Sequence, residues 1–201
     1  MKDIKLILTD ENGSLKNCEN ELNNVEYVPS DDFDVSMEAD GIVVGEMLSL
    51  NSMEILKKKI IEKKINNSFI LTRAAYYKDW DIIKKMKEFC LFNSLTFLTY
   101  DEAVLFADIP KKEDCEDRYI NSMIFKLNSF GMAKQIVITS VPVKDKGKVT
   151  VLSEYGEFDV LDFDFVNEKE YLPSVLLLEK MVEGEKLKES VININKMFDK
   201  Q

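Results

Sequence analysis

The chain has 201 residues, with 27 basic against 37 acidic side chains, a net charge of −10 and no histidine. The length predicts one domain, or two small ones, and the acidic balance argues against nucleic acid, whose binding rests on Lys and Arg neutralising phosphates. The missing imidazoles exclude Ser-His-Asp and Cys-His nucleophilic sites, His-ligated zinc and histidine proton shuttles.

The opening run Met1–Asp10 carries too short an apolar stretch for a signal peptide. Nowhere do about eighteen consecutive apolar residues occur, so no membrane span is expected and a cytoplasmic location follows. Short β-rich runs then alternate with runs of helical period, the pattern of an α/β fold. The strand candidates are Ile4–Leu8, Gly41–Val44, Phe69–Thr72, Leu95–Leu98 and Ile136–Thr139. Lys148–Leu152 and Phe158–Phe163 read as an antiparallel hairpin around Tyr155-Gly156. Glu11–Asp34 is polar and reads as loop around one short strand, Glu26–Val28.

Helices are expected where apolar residues recur at three- and four-residue spacing. Met53, Leu56, Ile60 and Ile61 mark the first, opened by Asn51 with Glu54 as a loose capping box. Ile83, Met86 and Cys90 mark the second; Ile120, Met123, Ile124, Leu127 and Phe130 mark the third, which stops at Gly131. Leu172–Val182 and Leu187–Phe198 close the chain, split by Glu183-Gly184-Glu185, with Pro173 in a first turn where its missing N–H costs nothing. No repeat or linker is visible, so a single domain spans 1–201.

Most chemistry-bearing residues have a plain reading. Lys57-Lys58-Lys59 and Lys63-Lys64 form a solvated helix face, with Leu56, Ile60 and Ile61 turned inward. Asp31-Asp32-Phe33-Asp34 lacks the alternating ligands of a calcium loop and reads as a solvated acidic loop. Cys18, Cys90 and Cys115 form no CxxC and read as reduced thiols, Cys90 on an apolar stripe. Trp80 and Tyr76-Tyr77 read as packing aromatics before ligand-stacking ones. No two of the seven glycines are separated by a single residue, which excludes a Walker A loop and a dinucleotide fingerprint.

Three stretches read together resemble the ribokinase-like superfamily, in its pyridoxal and hydroxymethylpyrimidine kinase branch. The first is Asp40-Gly41-Ile42-Val43-Val44-Gly45, then Ser49 and Met53-Glu54-Ile55-Leu56. The second, Thr96-Phe97-Leu98-Thr99-Tyr100-Asp101-Glu102-Ala103 to Asp108-Ile109-Pro110, is similar to the family's ITPN-x-x-EA…G-x-P segment and leads to Ile136–Pro142. The third, Ser174-Val175-Leu176-Leu177-Leu178 and Glu183–Leu187, resembles its terminal helix pair. The match covers 39–200, preceded by a shortened segment 1–38. It implies a three-layer α/β/α sandwich around a mostly parallel sheet.

The resemblance also implies ATP, a divalent cation such as Mg²⁺ and phosphorylation of a hydroxymethyl group on a small ring. Aligned through Ser174–Leu177, the family's GTGD segment falls on Asn167, Glu168, Lys169 and Glu170. Asn167, Glu168 and Lys169 then lie on the nucleotide side with Thr139 and Ser140, and Glu170 takes the catalytic-base position. Gly45 falls on the substrate side. Glu102 matches the glutamate of the metal–water network, and reads equally as a helix-start residue beside Asp101.

The chain departs from the family where phosphate is gripped. Both GTGD glycines are absent, and Gly156 and Gly184 are the only glycines nearby. Glu168 and Glu170 would face an incoming triphosphate, and like unit charges 4 Å apart cost about 4 kcal/mol at an effective dielectric near 20. The segment matching VDPVMGD, Ile70–Tyr77, has neither its acids nor its glycine. The expectation is a degenerate pyridoxal kinase-like protein without phosphoryl transfer, keeping small-molecule or nucleotide binding or a scaffold role. An active kinase of a B6 vitamer with Glu170 as base is the alternative, and a homodimeric interaction module without a ligand is the third. Family kinases are commonly dimeric, so a homodimer is the expected assembly.

Overall fold

A computed structural model describes residues 6–10, 12–20, 22, 24–32, 39–45, 49–63, 68–71, 79–90, 94–131, 134–165 and 172–198. Its strands are β1 (Leu6–Thr9), β2 (Val25–Tyr27), β3 (Gly41–Val44), β4 (Ser68–Leu71), β5 (Leu95–Thr99), β6 (Gln135–Val143), β7 (Gly147–Glu154) and β8 (Glu157–Leu161). Its helices are α1 (Leu50–Lys63), α2 (Trp80–Cys90), α3 (Tyr100–Ala107), α4 (Asp117–Ser129), α5 (Leu172–Val182) and α6 (Leu187–Phe198). The strands form one sheet in the order β2-β1-β3-β4-β5-β6-β7-β8. Pairing is parallel from β2 through β6 and antiparallel across β6–β7 and β7–β8.

Apolar runs such as Leu6-Ile7-Leu8 and Gly41-Ile42-Val43-Val44 have no polar face because helices cover the parallel sheet on both sides. Successive side chains divide between two cores, as the two-residue strand period requires. Ile7, Ile42, Val44, Ile136 and Ile138 pack against Leu56 of α1, Met86 of α2, Phe106 of α3 and Ile124 of α4. Leu6, Leu8, Val43 and Val137 pack on the other side against Val175 and Leu178 of α5 and Val191 of α6. The architecture is the expected three-layer α/β/α sandwich.

Several local expectations need correction. Glu11–Asp34 is more than loop and one strand: it also holds short 3-10 turns at Lys16–Asn20 and Ser30–Asp32. The helix α3 follows β5 with no intervening loop and was not among the periodic candidates, since eight residues show little period. Asn51 lies inside α1 and does not open it; the Ser49 hydroxyl accepts the Ser52 N–H at 3.1 Å and fills the capping role. Ile61 is 49% exposed and does not turn inward with Leu56 and Ile60. Trp80, 62% exposed, is no packing aromatic. Ile4, Thr72, Phe33, Asp34 and Tyr76-Tyr77 lie outside the described residues.

The β7–β8 hairpin forms as read, closing between Glu154 and Glu157. Tyr155 and Gly156 both have positive φ, 53° and 95°, as a type I′ turn requires. Asparagine is the favoured first residue of such a turn and tyrosine is not. Tyr155 is 78% exposed, so little packing is lost on replacing it. Tyr155→Asn is expected to stabilise the fold by roughly 0.5–1 kcal/mol, read as a higher denaturant midpoint at unchanged slope.

Candidate functional site

In a mostly parallel sheet, ligands sit in the crevice outside the carboxyl ends of the strands. The end of β6 is shaped by a mismatch. Ile138 pairs with Val151 and Val141 with Val149, so Thr139 and Ser140 together oppose Thr150. Ser140 takes φ 57° there, a left-handed conformation that costs a non-glycine residue roughly 1–2 kcal/mol. Its N–H and hydroxyl both turn to the carboxylate of Asp164, donating to Oδ1 and Oδ2 at 2.8 Å each. The Thr150 hydroxyl lies 3.5 Å from Asp164 Oδ1 and accepts the Phe165 N–H at 2.7 Å.

Beside this cluster, Thr99 pairs in register with Thr139. Thr99 is both the last residue of β5 and the N-cap of α3. Its hydroxyl accepts the Glu102 N–H at 3.3 Å, while Glu102 Oε2 accepts the Thr99 N–H at 2.8 Å and the Thr99 hydroxyl at 3.0 Å. This is a complete capping box, and Glu102 is only 1% exposed. Of its two sequence readings, the helix-start role is the one with visible hydrogen bonds.

Gly45 stands elsewhere, at the end of β3, where its N–H donates to Thr9 O at 2.8 Å. Two strands separate β3 from β6, which places the two ends some ~14 Å apart at ordinary strand spacing. A Cβ on Gly45 would lie 2.9 Å from Leu15 Cδ1 and 3.0 Å from Asp10 Cβ. Asp10, 1% exposed, accepts the N–H of Gly13 at 2.7 Å, that of Leu15 at 2.8 Å and the Tyr27 hydroxyl at 2.9 Å. That carboxylate organises the loop after β1. Burial first, then the hydrogen bond and negative charge of Asp10, push the Tyr27 phenol up to about 12.

The structure therefore brings Glu102, Thr139 and Ser140 together and leaves Gly45 apart. Asn167, Glu168, Lys169 and Glu170 lie outside the described residues. The three cysteines are buried and none is in a disulfide, and burial raises the Cys90 thiol far above its ordinary range, consistent with a core residue. Cys115 donates its thiol to Tyr100 Oη at 3.3 Å, and its N–H donates to Pro142 O at 2.7 Å, fastening the loop before α4 to β6. Sequence reasoning missed Asp164, Thr150, Asp10 and Tyr27. Only Thr99 carried a local signal, the Thr-x-x-Glu spacing of a capping box.

No family model matches the sequence, and no curated protein does. Solved structures do resemble it. Bacillus subtilis pyridoxal kinase, in an ADP complex, superposes with a TM-score of 0.72 at 15% identity over 96% of this chain and 89% of its own. Clostridium difficile phosphomethylpyrimidine kinase gives 0.74 at 10% identity over 97% of each chain. Staphylococcus aureus pyridoxal kinase, in complex with pyridoxal, gives 0.73 at 13% identity over 95% and 85%. The chain therefore has the ribokinase-like fold of these vitamin kinases. Among the described residues, no helix is long and apolar enough to cross a membrane.

Two predictions follow from the β1–β3 end. Gly45→Ala is expected to destabilise the protein by about 1–3 kcal/mol through overpacking, read as a lower denaturant midpoint. Tyr27 is an acid whose folded pKa lies above its unfolded value near 10. Between pH 10 and about 12 the unfolded chain has shed a proton that the folded chain keeps, so stability falls as pH rises through that window. Tyr27→Phe should flatten that fall, measured as denaturant midpoints from pH 9 upward; parallel slopes in both proteins would refute it.

Proposed function

We propose that this protein is a ribokinase-fold relative of the pyridoxal and phosphomethylpyrimidine kinases that has given up phosphoryl transfer and serves as a binding or scaffold protein. One feature of the sequence supports the reading: aligned by the resemblance, Asn167-Glu168-Lys169-Glu170 falls on the family's glycine-rich anion hole, and no glycine occurs between Gly156 and Gly184. Phosphoryl transfer is mainly positioning and charge stabilisation, so a site that cannot bring amides close to phosphate loses most of its rate. The donors present do not fit a magnesium nucleotide. Glu102 is buried and caps α3 through Oε2, and by the same alignment Glu168 and Glu170 would add negative charge beside a polyanion.

The active-kinase reading draws its support from the near full-length superposition on kinases solved with ADP and with pyridoxal. In it, Glu170 accepts the substrate hydroxyl proton. One assay separates the two. Pure full-length protein, given ATP, Mg²⁺ and pyridoxal, is expected to form no phosphorylated product above the protein-free control. Turnover that Glu170→Gln abolishes while the variant stays folded would establish the active reading instead. A thermal-shift series with ATP, ADP, Mg²⁺ and B6 vitamers reports retained binding, because a ligand that prefers the folded state raises its midpoint by mass action.

A further inference from the structure

We propose that Asp164 is the resident occupant of an anion-binding site at the end of β6, holding in place the donors that would otherwise take an external phosphate oxyanion. The Ser140 amide is left out of the β6–β7 ladder by the two-for-one mismatch, and in its left-handed conformation it donates to Asp164 instead. The amide, the hydroxyl on the same residue and, at 3.5 Å, the Thr150 hydroxyl converge on one carboxylate, a set of donors that an oxyanion could equally satisfy. A carboxylate fills it, with two bonds of 2.8 Å, one to each oxygen. Charge-assisted bonds of that length are the strong class.

The partner comes from 24 residues away in sequence, just beyond β8, so nothing local in the chain demands the pairing. Asp164 lies only three residues before Asn167 in sequence. An incoming phosphate must therefore both displace a tethered carboxylate and approach its charge. This inference rests on the reading that the chain does not transfer phosphate, and explains how the β6 end takes part in that loss.

The test uses full-length protein and inorganic pyrophosphate as the probe, with sodium chloride at matched ionic strength as the control. In Asp164→Asn the amide oxygen still accepts the Ser140 N–H, while the charge is gone. Pyrophosphate is expected to bind this variant at least about ten-fold more tightly than wild type, with the Ser140 backbone amide resonance among those that shift. A folded Asp164→Asn protein with no gain, or a gain that leaves Ser140 unmoved, overturns the proposal. Asp164→Ala, which also vacates both oxygen positions, should gain affinity in the same direction. A measurement on wild type needs no variant to fold: the Ser140 amide should exchange its hydrogen slowly, and exchange at the rate of an exposed loop amide would overturn the latch. Turnover of ATP by wild type would sink the functional reading, whereas no turnover together with no gain in Asp164→Asn would sink the latch alone.

Discussion

The mismatch on β6, where Thr139 and Ser140 stand against Thr150, decides how the two halves of the sheet meet. Up to Thr139, β6 is the last parallel strand, paired with β5 in register. Beyond it β5 has ended, because Thr99 is already capping α3, and β6 continues with β7 as its strand partner and a single bridge from Cys115 to Val143 on the other side. That missing neighbour lets Pro142 sit within the strand, since the N–H it lacks has no partner strand to serve, while its carbonyl takes the Cys115 N–H. The extra residue leaves one amide without a place in the ladder. A buried or half-buried N–H left unpaired costs about 1–3 kcal/mol, and Asp164 removes that cost. The antiparallel β7–β8 extension is thus tied back to the edge of the parallel sheet through one carboxylate.

Much of this fold is written in local patterns. Gly41–Val44, Leu95–Leu98 and Ile136–Thr139 are short apolar runs of the kind that only a sheet covered on both faces tolerates, and each became a parallel strand. The Tyr155-Gly156 turn, Gly131 after α4 and Gly184 between α5 and α6 carry positive φ where the chain changes direction, and those boundaries were readable. What escaped is what local patterns do not encode. The α3 helix is too short to show a period. The strand β6 runs on to Val143 because β7 holds it there; the local pattern stops at Thr139, and only the family resemblance carries the strand to Pro142. Ile61 has the spacing of a core residue, yet it is half exposed.

The candidate site was legible in proportion to how local its contacts are. Thr99 and Glu102 bond across three residues and announce themselves as a capping box. Asp10 reaches Gly13 and Leu15 nearby, but its bond to Tyr27 spans 17 residues. Asp164 and Ser140 are 24 apart, and neither shows anything in its own surroundings that points to the other. A resemblance carried by motif positions therefore found the edge of the sheet and missed the carboxylates that organise it.

This bears on what a surviving residue at a family position reveals. The resemblance matches Glu102 to a glutamate of the family's metal network, yet a direct strand-to-helix junction has its own use for such a residue in its hydrogen bonds. The N–H of Thr99 has the Glu102 carboxylate as its acceptor, and the Glu102 N–H has the Thr99 hydroxyl. Losing such a cap costs about 0.5–2 kcal/mol, enough to retain Thr-x-x-Glu in a protein that binds no metal. The same holds for Gly45, which the packing of Leu15 and Asp10 requires whether or not a substrate lies near it. Positions with a folding role are thus poor witnesses to chemistry. The informative positions are those whose residue types matter chiefly for gripping phosphate; on the sequence resemblance these would be 167–170, where the chain carries Asn, Glu, Lys and Glu.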